Sequence, residues 1–377
     1  MISFENVLPI MPNKTSGSVL LVAFEREDKL QYPHLKAVLD LLGQEVACEY
    51  FYFRQRGHRL HDALRLSPRS ILRLKPLRTL WIIAIDLLRL AARMRRFDTV
   101  VAVDNFTFIC ASIFHPKVIL WSYDFITADQ PHSSSWVQRA ISQWTRRFLS
   151  RSRRIIIQDE GRKDLFQQTH GLEEPLDVYL LPVSLPACDT PPIGMIQGKT
   201  PFLMQIGRIH AWAGSDQLIK AYQQQANHYR LVLHGFLFQP TILDQLRSVE
   251  CVPLCSMVEI PATFLHRLIQ YADIGFINYP QDDQNNFQMG YASGQLCEFL
   301  RCSKPVISCG KTNLQMFVEE QGIGVAIESL DELPQAISRI SNNYQEYSQR
   351  CYQLFRATYD LNLHQGKFAS WVCGGTE

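Results

Sequence analysis

Short apolar runs alternate with amphipathic stretches along the first half of the chain. The stretches at 33–42, 77–96, 136–150 and 161–168 have helical periodicity. The apolar runs are SVLLVAF (18–24), VACEYFYF (46–53), DTVVAV (98–103), KVILWSY (117–123), RIIIQ (154–158) and VYLLP (178–182). Continuous apolar strands separated by helices are typical of a parallel sheet that is covered on both faces. The pattern therefore predicts a Rossmann-like domain.

The second half repeats this alternation after an interruption rich in proline and glycine. Its apolar runs lie at 202–207, 229–235, 251–255, 273–279, 304–310 and 323–327. We predict an α/β protein with a first domain over 1–185, a linker over 186–200, a second domain over 201–360, and a segment over 361–377 that returns to the first domain. Ligands of open α/β sheets bind beyond the carboxyl ends of the strands, so two such domains predict a cleft between them.

Composition and charge exclude several classes of protein. The chain is 46% hydrophobic and 20% charged, and its formal net charge of +2 gives no argument for a nucleic-acid partner. We find neither a basic leader with a long apolar run nor an apolar stretch of about 18 residues, so we expect a cytoplasmic protein. The ten scattered cysteines are expected to be reduced, and their spacing predicts no metal site.

Two segments of the second half have residues suited to a diphosphate. In QIGRIHAWAGSDQ (205–217), a strand ends at Gly207 and Arg208, and in YASGQLCEFLR (291–301) a helix begins near Ser293. A helix N-terminus offers unpaired N–H groups and a positive dipole end, and arginine offers a planar fork for phosphate oxygens. Glu298, further along that helix, has a carboxylate that could accept two ribose hydroxyls. The alternative is that Glu298 only stabilises the first turn of its helix.

With these motifs, the second half resembles the nucleotide-sugar-binding domain of GT-B glycosyltransferases, especially of family 4. The likeness is carried by the strand ending in Gly-Arg, by YADIGFINYP (271–280), and by SGQLCEFL (293–300) followed by KPVI (304–307). It implies two Rossmann-like domains and a sugar transferred, without a metal, from a UDP- or GDP-type donor to a lipid-linked or polysaccharide hydroxyl. By resemblance, the donor site is formed by Gly207, Arg208, His210, Ser293, Gly294, Gln295 and Glu298.

The sequence departs from this family at two positions. Ala213 stands where many relatives have a second phosphate-binding lysine, and Gly290 stands where many have a first glutamate. A non-catalytic subunit that binds nucleotide sugars therefore remains an alternative. An epimerase on the same scaffold is a further one, although the cleft carboxylates and histidines it needs are not evident.

Acceptor-side chemistry is expected near the carboxyl ends of the first domain's strands. Asp124 follows the fourth strand and is a candidate base, with Tyr123 beside it in the place of a family histidine. Asp104, after the third strand, is a weaker candidate for acceptor binding. The alternative for such residues is a loop aspartate that caps the next turn. The resemblance favours retention of anomeric configuration, whereas Asp124 as a base would support inversion.

Residues 54–96 contain twelve Lys and Arg but two Asp, a net charge of +10, while the rest of the chain is at −8. One interpretation is a solvated basic face on an ordinary domain helix. The other is attachment to an anionic membrane surface, where basic side chains contribute about 1 kcal/mol each. No nucleic-acid-binding module accompanies these charges.

Overall fold

The fold is that of a computed structural model. It describes residues 17–23, 33–53, 75–123, 125, 136–188, 194–195, 199–237, 239–258, 260–279, 289–310 and 312–374.

Six parallel strands form the sheet of the first domain, in the order β2-β1-β3-β4-β5-β6. They are β1 (Ser18–Ala23), β2 (Ala47–Tyr52), β3 (Thr99–Val103), β4 (Val118–Trp121), β5 (Arg154–Ile157) and β6 (Asp177–Leu180). Their helices are α1 (Pro33–Glu45), α2 (Lys75–Met94), α3 (Asn105–Phe114), α4 (Trp136–Ser152) and α5 (Glu160–His170). Helices α2 to α5 pack on one face of the sheet and α1 packs on the other.

Helix α3 is the one described helix of this domain that the sequence pattern did not predict. Its segment, NFTFICASIF, is rich in aromatic and β-branched residues, which have low intrinsic helix propensity, and its apolar residues show little periodicity. The helix forms because Phe108 and Ala111 are buried in the domain core and because the Asp104 carboxylate caps its N-terminus. Tertiary packing here outweighs local preference.

A second six-stranded parallel sheet has the order β12-β11-β10-β7-β8-β9. Its strands are β7 (Phe202–Ile209), β8 (Arg230–Leu237), β9 (Leu254–Ser256), β10 (Ile274–Asn278), β11 (Val306–Cys309) and β12 (Gly324–Ile327). Its helices are α6 (Ser215–Gln225), α7 (Thr241–Ser248), α8 (Ala262–Ile269), α9 (Gly294–Arg301), α10 (Asn313–Gln321), α11 (Leu333–Asn342) and α12 (Tyr344–Leu354). Two parallel α/β sheets confirm the predicted fold class.

The chain crosses between the domains twice. After β6 it passes into the second domain near Leu185, and it returns near Asp360, where the two segments form a parallel bridge. A last helix, α13 (Lys367–Val372), then packs on the first sheet beside α1, with Phe368 fully buried. Arg154 and Asp177 of the first domain hold this helix, since Arg154 donates from Nη1 to the Val372 carbonyl at 3.3 Å and Trp371 donates from Nε1 to the Asp177 carboxylate at 2.9 Å.

Candidate functional site: the carboxyl edge of the second sheet

Strands β7 and β8 continue past their neighbours at the carboxyl edge of the second sheet. All eight residues of β7 pair with β8, and Gly207 lies opposite Gly235. Both glycines have positive φ, of 101° and 146°, and a side chain at Gly235 would overlap the Gly207 carbonyl. These conformations let the two backbones run close together, so that Arg208 emerges exposed at the edge.

Helix α9 begins beside this strand end. Ser293 is its N-cap, accepting the Leu296 N–H at 3.0 Å, and is itself fully buried. Gln295 donates from Nε2 to the Ile206 carbonyl at 2.7 Å. A Cβ built on Gly294 would meet no atom within 4 Å among the described residues, so the space before the helix is open. The fold thus brings Gly207, Ser293, Gly294 and Gln295 together.

His210 and Trp212 belong to a tight turn after β7. The His210 Nδ1 accepts the Trp212 N–H at 2.8 Å, and the His210 N–H donates to the Ser215 hydroxyl at 3.1 Å. The ring therefore caps the short 3₁₀ turn Ala211–Ala213. Trp212 is 39% exposed at the same edge as Arg208. His210 therefore stabilises the turn that follows β7.

The two departures from the family pattern occupy packed positions. Ala213 is 4% exposed, and its carbonyl accepts the Gln205 side-chain amide at 2.9 Å. A Cβ on Gly290 would lie 3.1 Å from the Phe317 ring, and the Gly290 carbonyl accepts the Tyr359 hydroxyl at 2.9 Å. Neither backbone position has free space around it for the long side chain that many relatives place there.

Glu298 lies in the second turn of α9 and is 3% exposed, unlike a solvated first-turn carboxylate. Its Oε2 forms a buried ion pair with Nη1 of Arg301 at 3.5 Å, and no other described residue donates a hydrogen bond to the carboxylate. Burial raises the pKa of Glu298 to about 7, and the Arg301 guanidinium opposes that rise. A buried carboxylate with one long ion pair still has oxygens that can accept hydrogen bonds, so this site favours a ligand with donor groups.

At the carboxyl edge of the first sheet, the described candidates are Asp104 and Tyr123, and His34 lies beside Tyr123. The Asp104 N–H donates to the Trp121 carbonyl at 2.9 Å, so the ends of β3 and β4 are adjacent. The Tyr123 ring stacks on the Trp121 ring with 5.0 Å between the centroids, and the centroid of the His34 ring lies 4.5 Å from that of Tyr123. Burial lowers the pKa of His34 to about 3, which keeps its ring neutral. Asp124 lies outside the described residues.

Asp104 has a strained backbone conformation, because its φ of +74° lies in a region that non-glycine residues rarely adopt. Its Oδ1 accepts the N–H groups of Phe106 and Thr107 at 3.0 and 3.1 Å, so it serves as a helix cap. Burial raises the pKa of Asp104 to about 7, with these hydrogen bonds acting in the opposite direction. Every hydrogen bond observed at this carboxylate involves Oδ1, which leaves Oδ2 for other contacts.

Sequence reasoning missed Arg162, which lies in the amphipathic stretch at 161–168 and was expected on an ordinary helix. The side chain is fully buried, donating from Nε to the Gln158 Oε1 at 2.7 Å and from Nη2 to the Tyr123 carbonyl. It thereby anchors the loop after β4. Arg162 is the third residue of α5, and the sequence does not indicate that it is buried, because an arginine at such a position normally faces solvent.

The fold and part of the sequence match known glycosyltransferases. Residues 261–370 match the family model described as "Glucosyltransferase 3-like, C-terminal domain". HepE of Anabaena in complex with UDP-glucose superposes with a TM-score of 0.63 at 14% identity, covering 94% of this chain and 99% of that one. No curated protein sequence gives a significant match.

Two further structures have the same architecture. Sucrose-phosphate synthase from Thermosynechococcus elongatus gives a TM-score of 0.66 at 11% identity, over 94% of this chain and 98% of that one. WaaG, a glycosyltransferase involved in lipopolysaccharide biosynthesis, gives 0.60 at 14%, over 95% and 100%. The chain has the two-domain GT-B fold of these glycosyltransferases. The family resemblance noted in the sequence is thereby confirmed.

Within the described part of the chain, no helix is long and apolar enough to cross a membrane. The described residues also contain no cluster of three or more His, Cys, Asp or Glu side chains arranged to hold a metal ion. All ten cysteines are free thiols.

Proposed function

We propose that this GT-B glycosyltransferase transfers a hexose from a UDP-sugar to a hydroxyl of a lipid-linked or polysaccharide acceptor. The observation that carries the proposal is the carboxyl edge of the second sheet, where the exposed Arg208 follows Gly207 and the Gln295 side chain ties the first turn of α9 to β7. The buried Glu298 lies in the next turn of that helix. The complex of HepE with UDP-glucose favours UDP over GDP and glucose as the sugar. The relation of WaaG to lipopolysaccharide biosynthesis supports a glycan acceptor.

Each part of the donor has a matching group. The helix N-terminus at Ser293–Gln295 and the Arg208 guanidinium supply positive charge for the diphosphate. The Glu298 carboxylate accepts hydrogen bonds from the ribose hydroxyls, which satisfies its two oxygens. Because these groups neutralise the departing diphosphate, we propose that the transfer is independent of metal ions. A rate unchanged by EDTA would support this, and loss of the rate restored by Mg²⁺ would contradict it.

The transfer step breaks the bond between the anomeric carbon and the β-phosphate oxygen, with both electrons going to that oxygen. The acceptor oxygen bonds to the anomeric carbon and gives up its proton. If the configuration is retained, as we propose, the acceptor attacks from the face of the leaving group and its proton passes to the departing phosphate oxygen. Arg208 and the helix dipole stabilise the developing charge. An inverting transfer, with Asp124 taking the proton, is the alternative, and NMR of the product's anomeric proton distinguishes the two.

Acceptor binding is proposed for the carboxyl edge of the first sheet. The free Oδ2 of Asp104 and the ring of Tyr123 lie at adjacent strand ends there, and Asp124 directly follows Tyr123 in the sequence. A carboxylate within hydrogen-bond reach orients a sugar hydroxyl, and an aromatic ring packs against the apolar face of a sugar.

Calorimetry with UDP, UDP-glucose, GDP and GDP-mannose tests the donor site. UDP and UDP-glucose are expected to bind, and Arg208→Ala is expected to weaken them at least tenfold, as the loss of a charge-assisted contact implies. Arg230→Ala is the matched control, because Arg230 is also exposed but begins β8 at the opposite edge of the sheet. Binding without transfer or hydrolysis would instead support a non-catalytic nucleotide-sugar-binding subunit.

The helices that cover one face of the first sheet offer a membrane contact, which we propose for the lipid-linked acceptor. Residues 54–74 of the basic segment lie outside the described residues. Helix α3 packs between α2 and α4, and all three expose large apolar side chains. These are Trp81, Ile85, Leu88, Ile113, Phe114, Trp136 and Trp144. Eight arginines lie in 81–96 and 136–152, against the single, buried Asp86.

Exposed tryptophan and leucine beside arginine suit an anionic bilayer, because the apolar side chains enter the interface while the cations meet the headgroups. A nucleic-acid surface would give the exposed Leu88 and Ile85 no apolar partner. The family resemblance and the charge pattern of the sequence support the same proposal.

A further inference from the structure

Tyr359 lies, fully buried, where the chain returns from the second domain to the first. Its carbonyl accepts the Leu185 N–H at 3.0 Å, and the Leu361 N–H donates to the Leu185 carbonyl at 3.0 Å. Leu185 belongs to the outgoing crossing, so the two interdomain segments are joined by hydrogen bonds on both sides of Asp360, the residue after Tyr359. Any relative movement of the domains must act on this pair of segments.

The side chain of Tyr359 reaches the loop before the proposed donor helix. Its hydroxyl donates to the Gly290 carbonyl at 2.9 Å, and its ring stacks on Tyr291 with 6.2 Å between centroids. Three residues after Gly290, Ser293 caps α9, and its own N–H donates to the Met289 carbonyl at 3.0 Å. Tyr359 therefore connects the interdomain segments to the helix N-terminus through one hydrogen bond and one short loop.

The loop also contacts the outgoing crossing directly. The Val183 N–H donates to the Tyr291 carbonyl at 2.9 Å. On its other side, Gly290 is held by the Phe317 ring, which lies 3.1 Å from where a Cβ would be. The loop thus has little freedom to move without the crossings, because buried and closely packed contacts shift together rather than independently.

We infer that Tyr359 is a positioning residue that couples occupancy of the donor site at α9 to the connection between the two domains. The inference rests on the proposed function only for the identity of the ligand, a uridine nucleotide. Binding before α9 orders the Ser293 cap and the 289–291 loop, and the Tyr359 hydroxyl transmits that order to the Leu185 and Leu361 hydrogen bonds. A donor-bound second domain would in this way set its orientation relative to the acceptor domain.

The hydroxyl remains a donor at physiological pH. Burial above all, and then the nearby Cys297, Tyr291 and Asp159, raises the pKa of Tyr359 well above its ordinary value. Asp159 caps α5 in the first domain, so the hydroxyl is also close to that domain. The coupling is therefore expected to be independent of pH between about 6 and 9.

Hydrogen exchange of the full-length protein, with and without UDP, tests this inference. In the wild type, we expect UDP to slow exchange at 293–297 and, through Tyr359, by about fivefold at Val183, Leu185 and Leu361. In Tyr359→Phe, we expect UDP still to protect 293–297 but no longer to protect the crossings. We also expect kcat to fall by a larger factor than that by which the donor KM changes. Tyr229→Phe is the matched control, because Tyr229 is also fully buried but lies at the other edge of the second sheet.

Each outcome decides the inference. If UDP binds the wild type but protects only 293–297, or if Tyr359→Phe retains protection at the crossings, the inference is wrong while the donor site stands. If UDP does not bind, the proposed donor is wrong, and hydrogen exchange of the ligand-free wild type and variant tests the inference instead. Tyr359→Phe must then accelerate exchange about fivefold at both Val183 and Ser293, whereas acceleration confined to 359–361 overturns the coupling.

Discussion

The side-chain amide of Gln295 donates to the Ile206 carbonyl at 2.7 Å, which ties the first turn of α9 to the last residues of β7. The same amide nitrogen lies 2.9 Å from where a Cβ on Gly207 would be. The absence of a side chain at Gly207 therefore allows this contact. Arg208, the residue after Gly207, thus lies in the strand that this contact ties to the first turn of α9.

Substituting Gly207→Ala is expected to disturb this contact. The residue has φ of +101°, and its new methyl group would press on the Gln295 amide. We expect a loss of about 1–3 kcal/mol in the free energy of unfolding and at least a tenfold loss of UDP affinity. Chemical denaturation and calorimetry measure these. Gly43→Ala is the control, since nothing lies within 4 Å of its Cβ in α1 and it should stabilise by about 0.5–1 kcal/mol. Equal UDP affinity in wild type and Gly207→Ala would contradict the placement of the donor.

Glu298→Gln is expected to weaken UDP binding about tenfold, because an amide oxygen accepts hydrogen bonds from ribose less strongly than a carboxylate does. The preference for UDP over 2′-deoxy-UDP should shrink in the variant by a similar factor. Calorimetry with both nucleotides on both proteins forms a double-mutant cycle. A preference that survives unchanged would place the ribose elsewhere.

The pH dependence of UDP binding follows from the pKa of Glu298, which burial raises to about 7. Ribose hydroxyls favour the ionised carboxylate, so affinity should rise with pH from about 6 to 8 and this rise should be smaller in Glu298→Gln. Arg301, Cys297 and Cys302 are the other titratable neighbours of this carboxyl. In the absence of ligand, the stability of the protein depends on pH in the opposite direction. The folded state holds the Glu298 proton more tightly than the unfolded state does. The contribution of Glu298 to the free energy of unfolding is therefore largest below its ordinary pKa and is lost as the pH rises through about 7. Asp104→Asn is the control. Burial raises the pKa of Asp104 to about 7 as well, but Asp104 lies in the first domain, so this variant should keep the pH dependence of UDP affinity.

Replacing Gly290 by glutamate, the residue common in the family, is expected to reduce stability rather than to improve catalysis. The new side chain meets the Phe317 ring at its first carbon, 3.1 Å away, which makes a cost of about 1–3 kcal/mol typical. The double variant Gly290→Glu with Phe317→Ala should recover part of the activity lost in the single variant. Thermal denaturation and turnover give the answer, and a more stable Gly290→Glu would show that the loop has room.

Three substitutions separate the roles of Asp104. Asp104→Gly removes the cap but relieves the positive φ, whereas Asp104→Ala loses the cap and keeps the strain, so alanine should be less stable than glycine by about 1 kcal/mol. Asp104→Asn preserves the cap. If the carboxylate binds the acceptor, Asp104→Asn lowers turnover about tenfold with UDP affinity unchanged. Full turnover in Asp104→Asn would leave Asp104 with a capping role alone.

Co-sedimentation with vesicles tests the membrane face. Binding is expected to phosphatidylglycerol-containing vesicles and not to pure phosphatidylcholine, and Leu88→Ser with Trp81→Ser should reduce it about tenfold. Tyr271→Ser is the matched control, since Tyr271 is 72% exposed in the second domain while Trp81 and Leu88 are 69% and 71% exposed. Binding that depends on charge but survives the double variant would indicate a purely electrostatic contact.

Apolar periodicity was sufficient to predict the two sheets, because buried parallel strands are continuous apolar runs whatever surrounds them. It was insufficient for α3, whose segment is stabilised by the core around Phe108 and by the Asp104 cap rather than by its own preferences. The burial of Arg162 and the packing around Gly290 depend on residues distant in sequence, Tyr123 and Phe317. Such pairings arise only when the sheets are assembled, so no local pattern reports them.

The return of α13 makes the first domain discontinuous in sequence. Leu361, Phe368, Ala369, Trp371 and Val372 complete a core whose other buried members come from residues 19–181. The second domain is in effect inserted between two pieces of the first. A fragment cut in the linker would expose the apolar surface that α13 covers, so the isolated acceptor domain should fold only when a peptide spanning 361–374 is supplied or fused to it. Gene fusions and domain exchanges in this protein therefore need two junctions rather than one.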